Sequence, residues 1–465
     1  MKYDYERLFI PFRLRPTTIP GRLNLEEFYS DHSRIIYSSS FRRLQQKAQV
    51  FPLEPNSSVR TRLTHSLEVA DLGRTLAFGI ASKLNEKGII QSELIQQFVA
   101  VIENACLLHD LGNPPFGHFG EEAIKRWFIR NWEESAKEAE VNISVLKSKV
   151  KDFFEFDGNP QGIRIATRLH CESDEYGLNL SLPTILSAIK YTRCTNEESD
   201  DCLKKKPGYF QTETPIIKKL YEKIGLDRNQ RYPLVYITEA ADDIAYCLSD
   251  ITDGIEKRII SPEEFMGDFL EEWGKKYVDK PPVPIPTKKI NYFNMEVSVG
   301  WSRAIMKETI NYYLTDHDSI YNGTSPSLIN EDGIGRVLNI VKKVARKRLY
   351  RSPEAQNIEL SGYRIITGLL DHFSNLLRLK RSDFEFFAEK NINPAGKGLD
   401  LEWRLFSRIS PRCVKSYTNQ IFEFKADNDI EWFLRAHLIL DHIGNMTDDY
   451  ALGTYQMLEG IQIKI

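Results

Sequence analysis

The sequence contains little cysteine, no long apolar run and almost no net charge, and each shortage excludes a class of protein. Its 6 cysteines are scattered over 465 residues without a C-x-x-C pair, which argues against a disulfide framework or zinc ribbon and favours a reducing cytoplasm. No run of about 18 apolar residues and no apolar leader occur, so membrane spanning and secretion are not expected. The formal net charge of -3 excludes the large overall positive charge of a protein that wraps nucleic acid.

Apolar residues recur at helical spacing through most of the chain, which predicts an all-α fold. From Val59 onward, His65 lies on one stripe with Val69, Leu72, Leu76 and Ile80, so this histidine should face the interior. A second helix should run from about residue 94 to residue 110, because Gly112 and the Pro114-Pro115 pair stop it. His109 and Asp110 then lie on its last turn.

A third helix is predicted within residues 232–255, where apolar residues occupy one face. The opposite stripe is polar and contains Glu239, Asp242, Tyr246 and Asp250. A polar line on so apolar a helix faces water or a site.

Composition changes along the chain predict its domain organisation. Four prolines in the stretch 279–289 interrupt the helical pattern, and we place a boundary there. The predicted parts are an N-terminal arm (1–30), a helical core (31–278) with insertions near 131–151 and 196–208, and an appended C-terminal helical subdomain (279–465). Residues 131–140 should form a solvated helix, and 196–208 a surface loop.

Four residues from the three helices form a coherent set of metal ligands: His65, His109, Asp110 and Asp242. Two imidazoles and two carboxylates suit a divalent ion such as Mn²⁺, Fe²⁺, Co²⁺ or Mg²⁺ and leave coordination positions open. Taken singly, each has an ordinary interpretation as a buried hydrogen-bonded residue or a helix cap. Asp243, next to Asp242, would then be a supporting partner.

Several longer blocks resemble one protein family. They include DHSRIIYSSSFRRLQQKAQVFPLEPNSSVRTRLTHSLEVA, LLHDLGNPPFGHFGEEAI, FDGNPQGIRI, KYTR, KKPGYF and EAADDIAYCLSD. They are similar to blocks of the deoxyguanosine triphosphate triphosphohydrolase (dGTPase) branch of the HD-domain phosphohydrolases. The resemblance covers most of residues 31–255, and continues more loosely through VARKRLYRSPEA and LDHIGNMTDDYA.

The resemblance implies an all-helical HD-domain enzyme that hydrolyses a dNTP, dGTP first among the expected substrates, to a deoxynucleoside and inorganic triphosphate. It implies a divalent cofactor (Mn²⁺, Mg²⁺ or Co²⁺) on the four ligands, with His118 and Glu121 as the catalytic pair. A histidine and a carboxylate three residues apart on a helix can meet, and the carboxylate then raises the pKa of the imidazole. Otherwise His118 caps the helix and Glu121 is an ordinary first-turn acid.

The resemblance also implies a set of substrate contacts. Arg62, Lys190, Tyr191, Arg193 and Lys206 should bind the triphosphate. Gln49 and Asp250 should contact the sugar 3′-hydroxyl, and Tyr246 should lie against C2′ and exclude a 2′-hydroxyl. Asn159 and Gln161 should line the pocket or support it. Otherwise the lysines and arginines are solvated surface cations, and Tyr246 is part of the hydrophobic core.

Two other functions remain open from the sequence. An HD-type nucleotidase or phosphodiesterase would use the same metal on monophosphates or cyclic nucleotides. A nucleic-acid-binding module would use a basic cluster: Arg336, Lys342, Lys343, Arg346, Lys347, Arg348 and Arg351. The resemblance implies a homo-oligomer, with a hexamer among the assemblies considered, and makes this cluster a surface for a single-stranded DNA or nucleotide effector.

Overall fold

The structure, a computed structural model, describes residues 3–170, 174–199, 201–285, 293–294, 296–330, 332–390 and 398–461. Within these ranges the chain is helical, and its extended pairings are two isolated bridges, Ala48 with Thr61 and Cys194 with Tyr209. The predicted all-α class is confirmed. No helix in the described part is both long and apolar enough to cross a bilayer.

The first half of the chain supplies the helices that surround the predicted site. They are α1 (Tyr5–Leu8), α2 (Asn24–Ile36), α3 (Ser39–Arg43), α4 (Arg62–Glu86), α5 (Glu93–Leu108), α6 (Gly117–Glu138), α7 (Ile143–Lys149), α8 (Lys151–Phe154), α9 (Gly158–Arg164), α10 (Leu182–Ala188), α11 (Thr214–Ile224) and α12 (Val235–Glu256). Short 3-10 turns cover Leu44–Gln46, Cys202–Lys204 and Gln211–Glu213, and a π-helical turn, Ile165–Leu169, extends α9.

The second half is also helical. Its elements are α13 (Pro262–Lys276), a π-helical turn (Glu296–Trp301), α14 (Ser302–Thr315), α15 (His317–Tyr321), α16 (Gly335–Arg348), α17 (Pro353–Arg378), α18 (Arg381–Lys390), α19 (Asp400–Phe406), α20 (Pro411–Glu423), α21 (Asn428–Gly444) and α22 (Asp448–Leu458). Residues 286–289 of the proline-rich stretch lie outside the described ranges.

Local sequence explains where α4 begins. Thr61 is its N-cap, and the side chains of Thr61 and Thr64 each accept a hydrogen bond from the other residue's backbone N–H. This capping box satisfies two donors that a helix start would leave open. The helix therefore starts at Arg62, three residues after the predicted Val59, and His65 falls on its first turn.

Buried apolar side chains form two cores. The first core extends from Tyr5 to Leu349 and contains the packed faces of α4, α5 and α12. The second core joins α6 and α7 to the helices after residue 364. The predicted arm is thus packed, and buried residues on both sides of residue 279 share the first core.

Two predictions about polar segments have different outcomes. The stretch 131–140 is the end of α6, where Trp132 and Ala136 are buried in the second core, so the prediction of a solvated helix holds for one face only. The described residues of the stretch 196–208, which are 196–199 and 201–208, form a loop with one 3-10 turn, Cys202–Lys204. Whether either is an insertion stays a prediction.

Gly112 allows the loop after α5 to touch the backbone of α9. A Cβ at this position would lie 2.0 Å from the Gly162 nitrogen and 2.1 Å from the Gly158 oxygen. Only a hydrogen fits there. The contact fixes His109, Asp110 and the loop that follows them against the turn that begins α9.

We expect Gly112→Ala to lower the free energy of unfolding by about 1–3 kcal/mol, because the new methyl group must displace backbone atoms. Denaturant unfolding measures this loss. Gly267→Ala is the matched control, because Gly267 lies on α13 and a Cβ added there would meet no described atom within 4 Å beyond the backbone of its own helix. Alanine at this position should stabilise the helix by up to about 1 kcal/mol. Equal unfolding curves for both variants would contradict the close backbone contact.

Candidate active site

A cavity of about 510 Å³ lies at the ends of α4, α5 and α10 and beside α12. Nearly all residues predicted for the site line its wall: Gln49, Arg62, His65, His109, Asp110, His118, Glu121, Asn159, Lys190, Tyr191, Lys206, Asp242 and Tyr246. Three predicted residues do not line it, namely Gln161, Arg193 and Asp250. The chain thus brings residues from position 49 to position 246 around one space.

Three of the four predicted metal ligands form a cluster in this wall. His65 comes from the first turn of α4, His109 caps α5, and Asp242 lies within α12. Asp242 Oδ1 is 3.3 Å from His65 Nε2 and 3.5 Å from His109 Nε2. One donor atom from each residue lies within 4.8 Å of the other two, which suits a shared divalent ion.

The ring of His109 is oriented for metal binding. Its Nδ1 donates to the carbonyl oxygen of Cys106 at 2.6 Å, which leaves the lone pair on Nε2. That Nε2 is buried and has no hydrogen-bond partner within the described chain. A buried polar atom without a partner costs about 1–3 kcal/mol. A metal ion would satisfy it, so the donor set fits a divalent cofactor.

Asp110 lies at the edge of the cluster. Its Oδ1 is 3.7 Å from His109 Nε2 and accepts a hydrogen bond from Asn113 Nδ2 at 2.5 Å. Its Oδ2 accepts from Arg62 Nη1 at 2.8 Å. Burial raises the pKa of Asp110, but the charge of Arg62 and the nearby imidazoles outweigh it and lower the pKa overall. The carboxylate stays ionised, and its role as a fourth ligand stays a prediction.

His118 and Glu121 meet as their spacing predicts. Phe116, in a left-handed conformation with φ of 62°, turns the chain from the Pro114-Pro115 pair into α6. His118 Nδ1 then lies 2.9 Å from Glu121 Oε2, and the other oxygen of Glu121 accepts from the Gly158 N–H at 2.8 Å. The hydrogen bond with Glu121 is the main cause that raises the pKa of His118.

The His118 side chain is exposed to the cavity, whereas the Glu121 side chain is buried. The His118 side chain is 74% exposed at the cavity wall, whereas that of Glu121 is 5% exposed. Glu121 is therefore fixed from behind, and the imidazole is presented to whatever enters the cavity. A protonated imidazole here can give a proton to a bound ligand.

Cationic side chains lie on the same wall. Lys190 Nζ is 3.3 Å from Glu239, and Lys206 Nζ is 2.7 Å from Asp157. The carboxylate of Asp157 also accepts from the Asn159 side chain at 2.6 Å. Acidic partners thus hold both ammonium groups in place on the wall.

Arg193 does not line the cavity, contrary to its predicted contact with phosphate, whereas Gln161 takes the supporting role that was one of its two predicted roles. The Arg193 guanidinium binds Glu155 at 2.5 Å and the backbone carbonyls of Glu197 and Lys204. Gln161 is fully buried and donates to Asp441 at 3.1 Å. Both side chains therefore support the walls of the site and do not face its contents.

Tyr246 and Asp250 are joined by a residue that sequence reasoning missed, Tyr350. The Tyr350 hydroxyl lies 2.6 Å from the Tyr246 hydroxyl and donates to the Asp250 carboxylate. Tyr246 and Tyr350 line the cavity, whereas Asp250 lies behind them and is 1% exposed. Burial raises the pKa of Asp250 to about 7. The signal for Tyr350 was its position in the block VARKRLYRSPEA.

Two buried acceptor oxygens have no hydrogen-bond partner in the described ranges: Gln49 Oε1, on the cavity wall, and Asp250 Oδ1, behind Tyr246 and Tyr350. The Gln49 oxygen can accept from the hydroxyl of a ligand in the cavity. Asp250 does not line the cavity, and its contact with a sugar stays a prediction.

Known proteins resemble this chain over nearly its whole length. The profile of the HD domain matches residues 62–245, the segment that contains His65, His109 and Asp242. The chain is 35% identical to the deoxyguanosinetriphosphate triphosphohydrolase of Salmonella paratyphi A, 34% to that of Cronobacter sakazakii and 33% to that of Serratia proteamaculans. The matches cover 94%, 94% and 93% of this chain and 94% of each relative.

We expect His109→Ala to weaken Mn²⁺ binding by more than about tenfold, because the variant loses a buried imidazole nitrogen that has no partner in the described chain. Asp110→Ala should have the same effect if Asp110 is a ligand. Titration calorimetry with Mn²⁺ measures both, and thermal unfolding without metal should change little. His372→Ala is the control, because His372 pairs with Glu459 far from the cavity. Wild-type metal stoichiometry and affinity in His109→Ala would refute the site.

Proposed function

The chain belongs to the deoxyguanosinetriphosphate triphosphohydrolase family of HD-domain hydrolases, and we propose that it hydrolyses a dNTP, with dGTP as the first expected substrate. The products are a deoxynucleoside and inorganic triphosphate. The observation that carries this proposal is one cavity. Its wall contains a cluster of His and Asp side chains that could bind a metal, the His118-Glu121 pair and several cations.

His65, His109 and Asp242, with Asp110 beside them, would hold a divalent ion, Mn²⁺, Mg²⁺ or Co²⁺. When bound, such an ion supplies Lewis-acid polarisation of a phosphate and lowers the pKa of water. Its two imidazole ligands and its carboxylates suit these three metals.

The chain's own cations bind and orient the triphosphate. Arg62, Lys190 and Lys206 line the cavity and are held by Asp110, Glu239 and Asp157. A tetra-anionic triphosphate attracts all three cations, and the Arg62 guanidinium can contact two phosphate oxygens at once. Several contacts to the triphosphate would hold its α-phosphate near the metal ligands. They would thereby reduce the entropy that is lost when the reacting groups are brought together.

His118 supplies the proton that the leaving group needs. Attack at the α-phosphate expels the 5′-oxygen of the nucleoside, which is a poor leaving group until it is protonated. The raised pKa of His118, due first to its hydrogen bond with Glu121, favours the protonated form of the imidazole. Glu121 positions the ring, and the Gly158 N–H positions Glu121.

Product analysis tests the reaction directly. Purified protein is incubated with each of the four dNTPs and with GTP, in Mg²⁺ or Mn²⁺, and the products are separated. Intact triphosphate and deoxynucleoside support the proposal. Free phosphate or a ring-opened monophosphate would instead support the HD-type nucleotidase or phosphodiesterase alternative.

The nucleic-acid-binding alternative is less favoured by the surroundings of α16. Carboxylates on neighbouring elements neutralise much of the basic cluster, with contacts of 2.5 to 3.8 Å: Arg336 to Asp279, Lys342 to Asp243, Lys343 to Glu272, and Lys347 and Arg348 to Asp268. Paired cations release fewer counterions on binding a phosphate chain. The homo-oligomer, the single-stranded DNA effector and the cytoplasmic location stay predictions.

We expect His118→Ala to lower kcat by about 10²–10⁴-fold, the usual contribution of positioned acid-base catalysis. KM and Mn²⁺ affinity should change little, because His118 is not one of the clustered metal ligands and is not an ion-pair partner of Arg62, Lys190 or Lys206. Glu121→Gln separates positioning from proton transfer. Losing the carboxylate lowers the pKa of His118, so the alkaline limb of the kcat profile should move to lower pH. A His118→Ala enzyme with most of its kcat would leave His118 only a capping role.

We expect Tyr246→Ala to raise the GTP to dGTP ratio of kcat/KM by about 5–150-fold, equivalent to about 1–3 kcal/mol for a buried unpaired hydroxyl. The ring lines the cavity one turn after Asp242, where it would exclude a 2′-hydroxyl. Tyr246→Phe is the control, because it keeps the ring and removes only the hydroxyl that contacts Tyr350. An unchanged ratio in Tyr246→Ala would mean that the tyrosine only packs.

A further inference from the structure

Three connections between helices meet next to the active-site cavity. They are residues 47–49, ahead of α4, residues 113–116, between α5 and α6, and residues 444–448, where α21 ends and α22 begins. A helix fixes its own backbone through its hydrogen-bond ladder, whereas a connection depends on contacts from elsewhere in the chain. The side chains that join these three connections therefore decide how they lie relative to one another.

Asp448, in the first turn of α22, supplies the central contact. It is 3% exposed. One of its carboxylate oxygens accepts from the backbone N–H of Ala48 at 2.9 Å, and the other accepts from the backbone N–H of Phe116 at 3.0 Å. Phe116 is the left-handed residue that caps α6, and Ala48 forms the isolated bridge with Thr61, the N-cap of α4. One side chain thus holds the backbone at the starts of two helices of the site.

Lys47 strengthens the same contact region. Its ammonium donates to the carbonyl oxygens of Asn113 at 2.5 Å and Gly444 at 2.8 Å, and its own carbonyl accepts from the Arg62 N–H at 2.9 Å. Burial lowers the pKa of Lys47, and the charge of Asp448 opposes this shift. The aspartate therefore also stabilises the charged form of the lysine.

Two of the joined connections lead to groups that serve opposite ends of one sugar in the proposed reaction. Gln49 follows Ala48, and its open Oε1 on the cavity wall can accept from the 3′-hydroxyl. His118 lies two residues after Phe116 on the same wall and gives its proton to the 5′-oxygen. Both oxygens belong to the same deoxyribose, so the separation of the two side chains has to match it.

We propose that Asp448 is a positioning residue that holds Gln49 and His118 at the separation required by the 3′-hydroxyl and the 5′-oxygen of one deoxyribose. This proposal rests on the hydrolysis proposed above. Asp448 does not line the cavity, so it acts through the backbone of Ala48 and Phe116. The consequence is selectivity, because a nucleotide without a 3′-hydroxyl gains nothing from a correctly placed acceptor.

The test compares kcat/KM for dGTP and for 2′,3′-dideoxy-GTP in the full chain with Mn²⁺. Asp448→Asn replaces one acceptor oxygen by an amide nitrogen, which cannot accept from the N–H that it meets. The wild type should prefer dGTP by about 2–10-fold, the effect of one hydrogen bond. In Asp448→Asn this ratio should fall towards one, and kcat for dGTP should fall by about 10–100-fold because the groups are misplaced.

Two neighbouring variants separate positioning from charge and from stability. Asp449→Asn removes the exposed carboxylate of the next residue, and Thr447→Ala removes the side-chain N-cap of α22, a change that destabilises a helix. Both should keep the wild-type ratio. A ratio as low in Thr447→Ala as in Asp448→Asn would overturn the proposal, because loosening α22 would then be sufficient.

Gln49→Ala adds a readout that general loss of structure would not move. It should lower the ratio in the wild type and have no further effect in Asp448→Asn, whereas effects that add up in the double variant would overturn the proposal. If Asp448→Asn does not fold, Asp448→Glu takes its place with the same expectations, because it keeps the charge and displaces both oxygens by one methylene group.

Failure of the proposed reaction can be recognised separately. Calorimetry in a chelator compares the affinities for dGTP and dideoxy-GTP without turnover, so a wild-type chain that is inactive on dGTP refutes the hydrolysis and leaves the affinity ratio as the test of Asp448. A wild-type chain without preference for the 3′-hydroxyl in either measurement overturns the proposal. So does a wild-type ratio with wild-type kcat in the folded Asp448 variant.

Discussion

The Asp242 carboxylate is the contact on which the catalytic half of the molecule depends. It joins His65, on the first turn of α4, to His109, at the end of α5. Burial would raise the pKa of Asp242, but the positive fields of His109, His65 and Lys190 hold it well below its usual range. A buried carboxylate is tolerated only with such partners. The apolar faces of α4, α5 and α12 supply the stability, and this polar contact fixes their relative register.

The matched HD segment does not build the cavity alone. Tyr350, which lines the wall beside Tyr246, lies well beyond residue 245, and Asp448 holds the backbone of Ala48 and Phe116 from the C-terminal end of the chain. A buried ion pair between Arg164 and Asp441, at 2.8 Å, links the two cores nearby. Breaking such a pair on one side is costly, about 3–5 kcal/mol. This pair therefore ties the second core to the first.

The sequence predicted what depends on local spacing. The helix that presents His65 follows from its apolar period, and the contact between His118 and Glu121 follows from their separation of three residues. It did not predict partners that only the tertiary fold supplies. Arg193 was expected to bind phosphate, but it forms an ion pair with Glu155, 38 positions earlier. The basic face of α16 looked free because the carboxylates that neutralise it, such as Asp268, come from other elements. Tyr350 is 100 positions from Asp250, beyond any periodic signal.

The groups expected to react are located by main-chain contacts. The Gly158 N–H holds Glu121, and the backbone of the same turn lies against Gly112, beside His109 and Asp110. Lys190 and Lys206 lie on the stretch after α10, but their carboxylate partners belong to the same support: Glu239 lies three residues before Asp242 on α12, and Asp157 directly precedes Gly158. The cations and the groups expected to react are thus mounted on one frame. A displacement of one set is therefore transmitted to the other, so the frame couples the grip on an anion to the alignment of the reacting groups.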